Sequence, residues 1–583
     1  MKRAMRFLFV LAADLVWALR ALLELPFRAF RSRPAYVTLR IKGELPYRSA
    51  RRRFRSPGAS LQGLFTLLDR LERDPRLEGV VLAVDALQLS PAKREALAGG
   101  LQRFRQAGKK VVGYAVSAGN AEYELLCAAD RIYLSPAGRL DLIGFAAELM
   151  ALGKGLAQVG VHAEFVRRGE FKTAPELFTD TEISSVQRQT LEGFLDTRHD
   201  ALVAAIATGR SLGAGEVRQR IDDGPYSARR AVEAKLVDGL ATELELCALL
   251  MPSTKPAKPD APARGLPSVS EYRRARPWRP RPSRRYRSGD RVSVVPLTGM
   301  ITHGEGNALP FGPRTLGSDA VIRAVDAAAS APTKAMVLFV DSPGGSAIAS
   351  ELMLEAIQRA AARKPLVAYV DRVAASGGYM AAMGAKELWS APHAIIGSIG
   401  VFAGKFDASA LLERLGVRRE VVSRGAHAGM GSLARPFSDS ERAALEREVE
   451  ETYQAFLAQV AKARGQTLEW VHARGEGRVF SGARALEDGL VDRLGGFEAA
   501  CLRALELAGK PARAQVELVL HAPAARPRHP LERLLPSHRP SLFALAWPWL
   551  DVPDLGVVDS TLGGGHIPVT SNALIEWVRS AMS

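Results

Sequence analysis

Cysteine is nearly absent from the chain: Cys127, Cys247 and Cys501 are the only three in 583 residues. So few, so widely scattered, they exclude a disulfide framework or a cysteine-based zinc site and read as small buried apolar side chains. They fit a reducing or an oxidising compartment equally. No G-x-S-x-G elbow is present, and no His and Asp are placed to suggest the usual serine relay; His303, His393 and His427 read as surface or turn residues. With 47% hydrophobic and 24% charged residues, wholesale disorder, a collagen-like chain and a many-span membrane protein are excluded as well. The length implies more than one domain.

Charge is abundant but unevenly placed. Of the net +17, residues 1–56 hold +11 and residues 252–291 hold +9, which leaves −3 for the remainder. A nucleic-acid-binding domain would carry its excess on a folded face. Here the excess sits in a terminal region and a connector, which points to a membrane surface or a solvated linker and away from nucleic acid. At the N-terminus, Lys2, Arg3 and Arg6 precede an apolar stretch from Phe7 to about Phe27, interrupted by Asp14, Arg20 and Glu24. Its length suits a membrane anchor. A signal peptide and an interfacial amphipathic helix remain open alternatives.

An internal repeat organises the rest. The strand-like runs Val37–Gly43 and Val80–Asp85 recur as Val292–Gly299 and Met336–Asp341. Gly43 and Gly299, Asp85 and Asp341, Tyr123 and Tyr379, Pro136 and Pro392, and Gly144 and Gly400 keep one common offset, as do Arg168-Gly169 and Arg424-Gly425. Each half alternates short β-branched runs with helical periodicity, so an α/β fold with parallel strand pairs is expected. One predicted helix carries Leu352, Met353, Ile357 and Ala360 after an N-cap at Ser346. The Pro- and Arg-rich stretch 251–290 reads as a linker too polar and proline-broken to pack. Beyond about Lys510 the sequence matches neither half and suggests a second linker before a small appended region.

The two copies differ where chemistry would reside. After Asp341 comes Ser342-Pro343-Gly344-Gly345, whose paired glycines can turn backbone N–H groups toward an anion; after Asp85 comes Ala86-Leu87-Gln88-Leu89. Ala375-Ser376-Gly377-Gly378-Tyr379 aligns with Gly119-Asn120-Ala121-Glu122-Tyr123, so only the second half has a hydroxyl at this strand-to-helix turn. A bland alternative is that Ser376 merely caps the next helix and the glycines allow close packing. Conversely, Lys172 of the first half aligns with Ala428 of the second. One copy has kept a hydroxyl and the other a lysine, which suggests one composite site. A lysine can take a serine proton only if it is neutral, and that requires burial away from carboxylates. Ser398, aligned with Leu142, could hydrogen-bond that amine or be a simple turn serine.

These residues resemble the signal peptide peptidase A family, also called protease IV, in its long, internally duplicated form. The resemblance covers about residues 36–508 and rests on Asp341-Ser342-Pro343-Gly344-Gly345, Ala375-Ser376-Gly377-Gly378-Tyr379, Ile396-Gly397-Ser398-Ile399-Gly400-Val401 and Gly169-Glu170-Phe171-Lys172. It implies a tandem duplication of a Clp-protease/crotonase-like α/β fold and a Ser/Lys dyad built from both copies. Ser376 would be the nucleophile, Lys172 the general base and Ser398 the residue orienting the lysine, with Gly345 and Gly377 supplying the oxyanion hole. No cofactor or metal is implied. The expected organisation is an N-terminal anchor over 1–35, a first repeat over 36–250, a linker over 251–290, a second repeat over 291–508 and an extension over 509–583. The family implies a homotetramer in the bacterial inner membrane, facing the periplasm and acting on hydrophobic peptides such as signal-peptide remnants. A crotonase-like acyl-CoA enzyme with a carboxylate base near the glycine turn, and a non-catalytic membrane scaffold, are the competing readings.

Overall fold

The computed structural model describes residues 14–16, 34–47, 60–252, 265–275, 290–306, 315–420, 422–511 and 516–523. Most of the expected anchor, the Arg-rich part of the linker and the chain after 523 lie outside them. Among the described residues no helix is long and apolar enough to cross a membrane.

The first half runs β1 (Tyr36–Gly43), α1 (Leu61–Glu72), β2 (Gly79–Leu87), α2 (Pro91–Gln106), β3 (Lys110–Ala115), α3 (Asn120–Leu126), β4 (Arg131–Leu134), β5 (His162–Arg168), α4 (Ser185–Arg210) and β6 (Gly239–Leu240). Strands β1-β2-β3-β4-β6 form a parallel five-stranded sheet in that order. Helices cover it, so its strands read as unbroken apolar runs: every residue from Gly79 to Val84 is buried.

The second half repeats the plan with β7 (Arg291–Thr298), α5 (Ser318–Ser330), β8 (Ala335–Ser342), α6 (Ala347–Arg363), β9 (Leu366–Ala375), α7 (Gly377–Ala382), β10 (Glu387–Ser390), β11 (Ile395–Gly397), β12 (Val401–Asp407), α8 (Asp439–Arg464), β13 (Val479–Ser481), β14 (Arg493–Leu494), α9 (Phe497–Leu507) and β15 (Glu517–Leu520). Its sheet has eight strands, with β13-β11-β9-β8-β7-β15 in sequence and β10 and β14 branching from β9. Ser346 caps α6 as expected, its Oγ accepting from Ala349 N at 3.3 Å. All three cysteines are buried and free.

Two segments read as connectors take part in the fold. Thr38 N donates to Pro267 O at 2.8 Å and Thr38 bridges Ser268 in parallel, while the Tyr272 hydroxyl donates to Asp74. In the second half β15 pairs in parallel with β7. Both copies thus cover the open edge of their first strand with a returning segment, which removes unpaired backbone groups from that edge. A short apolar run (Val516, Leu518, Leu520) and a single bridging residue suffice for this, so composition and proline content hid it.

The halves are joined by polar and apolar contacts together. Strand β5 of the first half pairs antiparallel with β12 of the second along its whole length, from Val401 opposite Arg168 to Asp407 opposite His162. Behind this ribbon, buried Asp371 accepts from Tyr47 at 2.8 Å, from Ser90 at 3.0 Å and from Tyr369 at 3.4 Å. The Tyr47 ring also packs against Phe339 and Phe497. Removing the acceptor strands three hydroxyls at the seam. Asp371→Ala should therefore destabilise by on the order of 3 kcal/mol and lower the thermal midpoint. An unchanged midpoint would show that this carboxylate does not couple the halves.

Candidate active site

The two glycine-rich turns of the second half meet. At the end of β8, Ser342 Oγ donates to Gly299 O and accepts from Gly344 N, which fixes the turn through Gly344 (φ +100°) and Gly345 (φ +147°). Ile301 N donates to Gly344 O at 2.7 Å and Ser346 N to Ile301 O at 3.0 Å. In this parallel bridge the flanking residues make the bonds, so the N–H of Gly345 points to the opposite side, where the residue is exposed. Gly377 begins α7, and amides of a first helical turn have no partner inside the helix. A Cβ added to Gly377 would lie 3.5 Å from Gly345 N, so the two amides are neighbours.

Ser376 sits between β9 and α7 with φ +52° and ψ −123°, a backbone conformation strained for any residue but glycine. It occupies the N-cap position, yet its side chain makes no capping bond, so capping does not explain the serine. The residue is half-buried. The packing alternative holds for its neighbours: a Cβ on Gly378 would approach Ser342 O to 2.5 Å, and one on Gly377 would approach Ser350 Oγ to 2.1 Å. Ser376 N donates to Gly397 O at 2.8 Å, which places it beside the turn carrying Ser398.

Into that turn comes Lys172 from the other half. Its Nζ donates to Ser398 Oγ at 2.9 Å and to Ser398 O at 3.0 Å. Lys172 is only 5% exposed, and burial pulls its amine down from 10.5 to about 7. The neighbouring carboxylate of Glu176 is occupied by Arg167 and Ser184. Ser398 also has positive φ (+53°), and its amide donates to Arg478 O. Ser376, Ser398, Lys172, Gly345 and Gly377 thus converge from four turns, three of them in the second half. His303 and His427 are exposed, and half-buried His393 lies in the turn between β10 and β11.

The corresponding place in the first half is closed. Asn120 is tied to the backbone through Gly144 O at 2.6 Å and Ile143 N at 3.3 Å. The Glu122 carboxylate accepts from Leu87 N at 2.6 Å and Gly119 N at 3.1 Å. Where the second half has Gly378, the first has Glu122, whose carboxylate is seated on the amides of Leu87 and Gly119, at the positions of Pro343 and Ala375 in the second half. Ala428, the counterpart of Lys172, is exposed. Sequence reasoning did not single out Glu476-Gly477-Arg478, which lies against Lys172 and Ser398; the glycine at 477 was its only local signal.

A half-buried serine, paired amides beside it and a buried lysine whose amine is pulled down to about 7 one turn away are the parts needed for acyl transfer. Residues 103–255 and 358–510 match the model of peptidase family S49. The chain is 28% identical over 504 residues to the chloroplastic serine protease SPPA of Arabidopsis thaliana, covering 86% of this chain and 73% of the relative. It is 29% identical over 462 residues to Protease 4 of Salmonella typhi, covering 77% and 72%. Protease 4 of Haemophilus influenzae is 27% identical over 461 residues, covering 76% and 72%. With the family's domain present twice, once in each half of the fold, the chain belongs to peptidase family S49 in its long, internally duplicated form.

Proposed function

We propose that this serine peptidase works through a Ser376/Lys172 dyad assembled across the two halves, each with a Clp-protease/crotonase-like fold. It would hydrolyse hydrophobic peptides such as signal-peptide remnants. The observation that carries the reading is the buried Lys172 amine, held on Ser398 beside the turn of Ser376.

In this mechanism the Ser376 hydroxyl gives its proton to neutral Lys172 as its oxygen attacks the peptide carbonyl. The oxyanion is received by the N–H groups of Gly345 and Gly377, each such donor being worth about 3 kcal/mol in the barrier. The lysine ammonium then protonates the leaving amine, and an acyl-enzyme on Ser376 remains. Lys172, neutral again, takes a proton from the water that releases the acid. Ser398 orients the amine through two hydrogen bonds. The acyl-CoA alternative wants a free carboxylate at the glycine turn, but Asp341 is engaged by Arg372 at 2.8 Å.

The basic N-terminal segment with its apolar stretch, and the Arg-rich linker, support attachment to an anionic membrane surface. We infer from the resemblance to the long signal peptide peptidase A form a placement at the bacterial inner membrane with the catalytic part in the periplasm, as a homotetramer.

Ser376→Ala and Lys172→Ala should each lower hydrolysis of an apolar peptide ester by about 10³-fold or more while the circular dichroism spectrum is kept. Full activity in either variant would sink the dyad. The dependence on pH should show an acid limb near 7, with the rate rising as the lysine loses its proton.

The same burial has a signature in stability. The unfolded chain holds the lysine proton up to about 10.4, whereas the folded chain holds it only to about 7. Between these values the unfolded state binds more protons, so stability falls as pH drops and levels off below 7. The difference corresponds to roughly 5 kcal/mol. Lys172→Met should therefore raise the melting temperature over the parent at pH 7, with the gap narrowing toward pH 10. A gap independent of pH would show that the lysine is charged in the folded protein.

A further inference from the structure

The turn before β13 touches both members of the lysine–serine contact through its backbone. Phe171 N, adjacent to Lys172, donates to Glu476 O at 2.7 Å. Ser398 N donates to Arg478 O at 2.7 Å, and Gly477 N donates to Ile399 O at 2.7 Å. Three consecutive residues therefore bind the first-half segment that carries the lysine and the second-half turn that receives its amine.

The approach is closer than side chains would allow. Gly477 has φ +81°, and a Cβ on it would lie 2.4 Å from Lys172 N and 2.6 Å from Lys172 Cα. A Cβ on Gly169 (φ +103°) would lie 2.4 Å from the carbonyl carbon of Glu476. A Cβ on Gly400 would lie 2.9 Å from Arg168 O and 3.1 Å from Gly477 Cα. Three glycines on three segments thus permit backbone-to-backbone contact around the lysine.

The turn is itself braced. Glu476 N donates to the hydroxyl of buried Tyr453 on α8 at 3.3 Å, and that hydroxyl pairs with His472 Nδ1 at 3.0 Å. Arg478 lays its guanidinium over the Phe171 ring at 4.2 Å and donates to Ala473 O. The splint is therefore fixed to the long helix of the second half and reaches into the first.

We propose that Glu476-Gly477-Arg478 is the positioning element of the catalytic lysine, with Gly477 as its determining residue: it sets how deeply Lys172 is seated and its registry with Ser398. This rests on the reading of Lys172 as general base. Gly477→Ala would push the Lys172 backbone outward, loosen the amine from Ser398 and admit water.

The test uses the full-length chain in detergent or vesicles. The Lys172 side chain is titrated by NMR of ¹³C-labelled lysine, with its signal assigned through Lys172→Met, and kcat/KM for an apolar peptide ester is followed against pH. In Gly477→Ala both the lysine titration and the acid limb should move up by about one pH unit. That costs about fivefold in kcat/KM at pH 7 and little at pH 9, with KM nearly unchanged. Gly465→Ala is the control: Gly465 also has positive φ (+64°), but a Cβ there meets nothing within 4 Å. It should lower the melting temperature without moving the titration.

An unmoved titration in Gly477→Ala, or an equal movement in Gly465→Ala, overturns the proposal. If Gly477→Ala does not fold, Tyr453→Phe decides: it should shift the lysine in the same direction by a smaller amount, about twofold in rate at pH 7, and no shift overturns the proposal. The NMR titration needs no turnover. Failure of the dyad, seen as full activity in Ser376→Ala, is therefore separable from failure of the splint.

Discussion

One hydrogen-bonded contact constrains the rest of the molecule: an amine from the first half resting on a serine of the second. It has chemical use only if the lysine is both neutral and immobile, and each condition requires the whole seam. Burial between the halves pulls the amine down to about 7. Immobility comes from the β5–β12 ribbon, which carries the chain to Gly169 in register with the second half. The Asp371 cluster and the aromatic contacts of Tyr47 hold the seam from behind. Neither copy alone could lower the amine so far, because each would leave it facing water.

The site also concentrates backbone strain. Ser376 and Ser398, the two hydroxyl residues of the turn pair, both have positive φ at a typical penalty of about 1–3 kcal/mol each. The amides of both are secured from outside their own turns, Ser376 by Gly397 and Ser398 by Arg478. Buried parallel sheets on either side provide the rigid frame, since their strand ends cannot relax without disturbing close-packed interiors. The glycines around them serve a different purpose: they allow segments to approach within distances that a methyl group would forbid.

Much of this was legible in the sequence because it was repeated. The constant offset aligned strands that are continuous apolar runs, and the cap at Ser346 announced the helix after β8. The contrast between Ser376 and Asn120, and between Lys172 and Ala428, pointed to a site shared between copies. What stayed hidden involves contacts without periodicity. The pairing of β5 with β12 joins segments more than 200 residues apart, and the backbone splint at Glu476-Gly477-Arg478 uses carbonyls and amides that every residue possesses. The edge-covering segments at Ser268 and β15 were hidden by proline-rich surroundings. For Glu122 the sequence showed a carboxylate where the other copy has glycine, but not that the carboxylate is bound to two amides.

That bound carboxylate bears on the history of the chain. Restoring a hydroxyl at Asn120 would break its bonds to Gly144 O and Ile143 N, in a turn that Glu122 already ties to the end of β2 through Leu87 N and Gly119 N. Removing Glu122 first would strand the N–H groups of half-buried Leu87 and buried Gly119 for no gain in chemistry. Each single step backward is unfavourable, so the division of labour between the copies works as a ratchet. The lysine-bearing half is held to its supporting role by its own hydrogen bonds, independently of any selection on the site it serves.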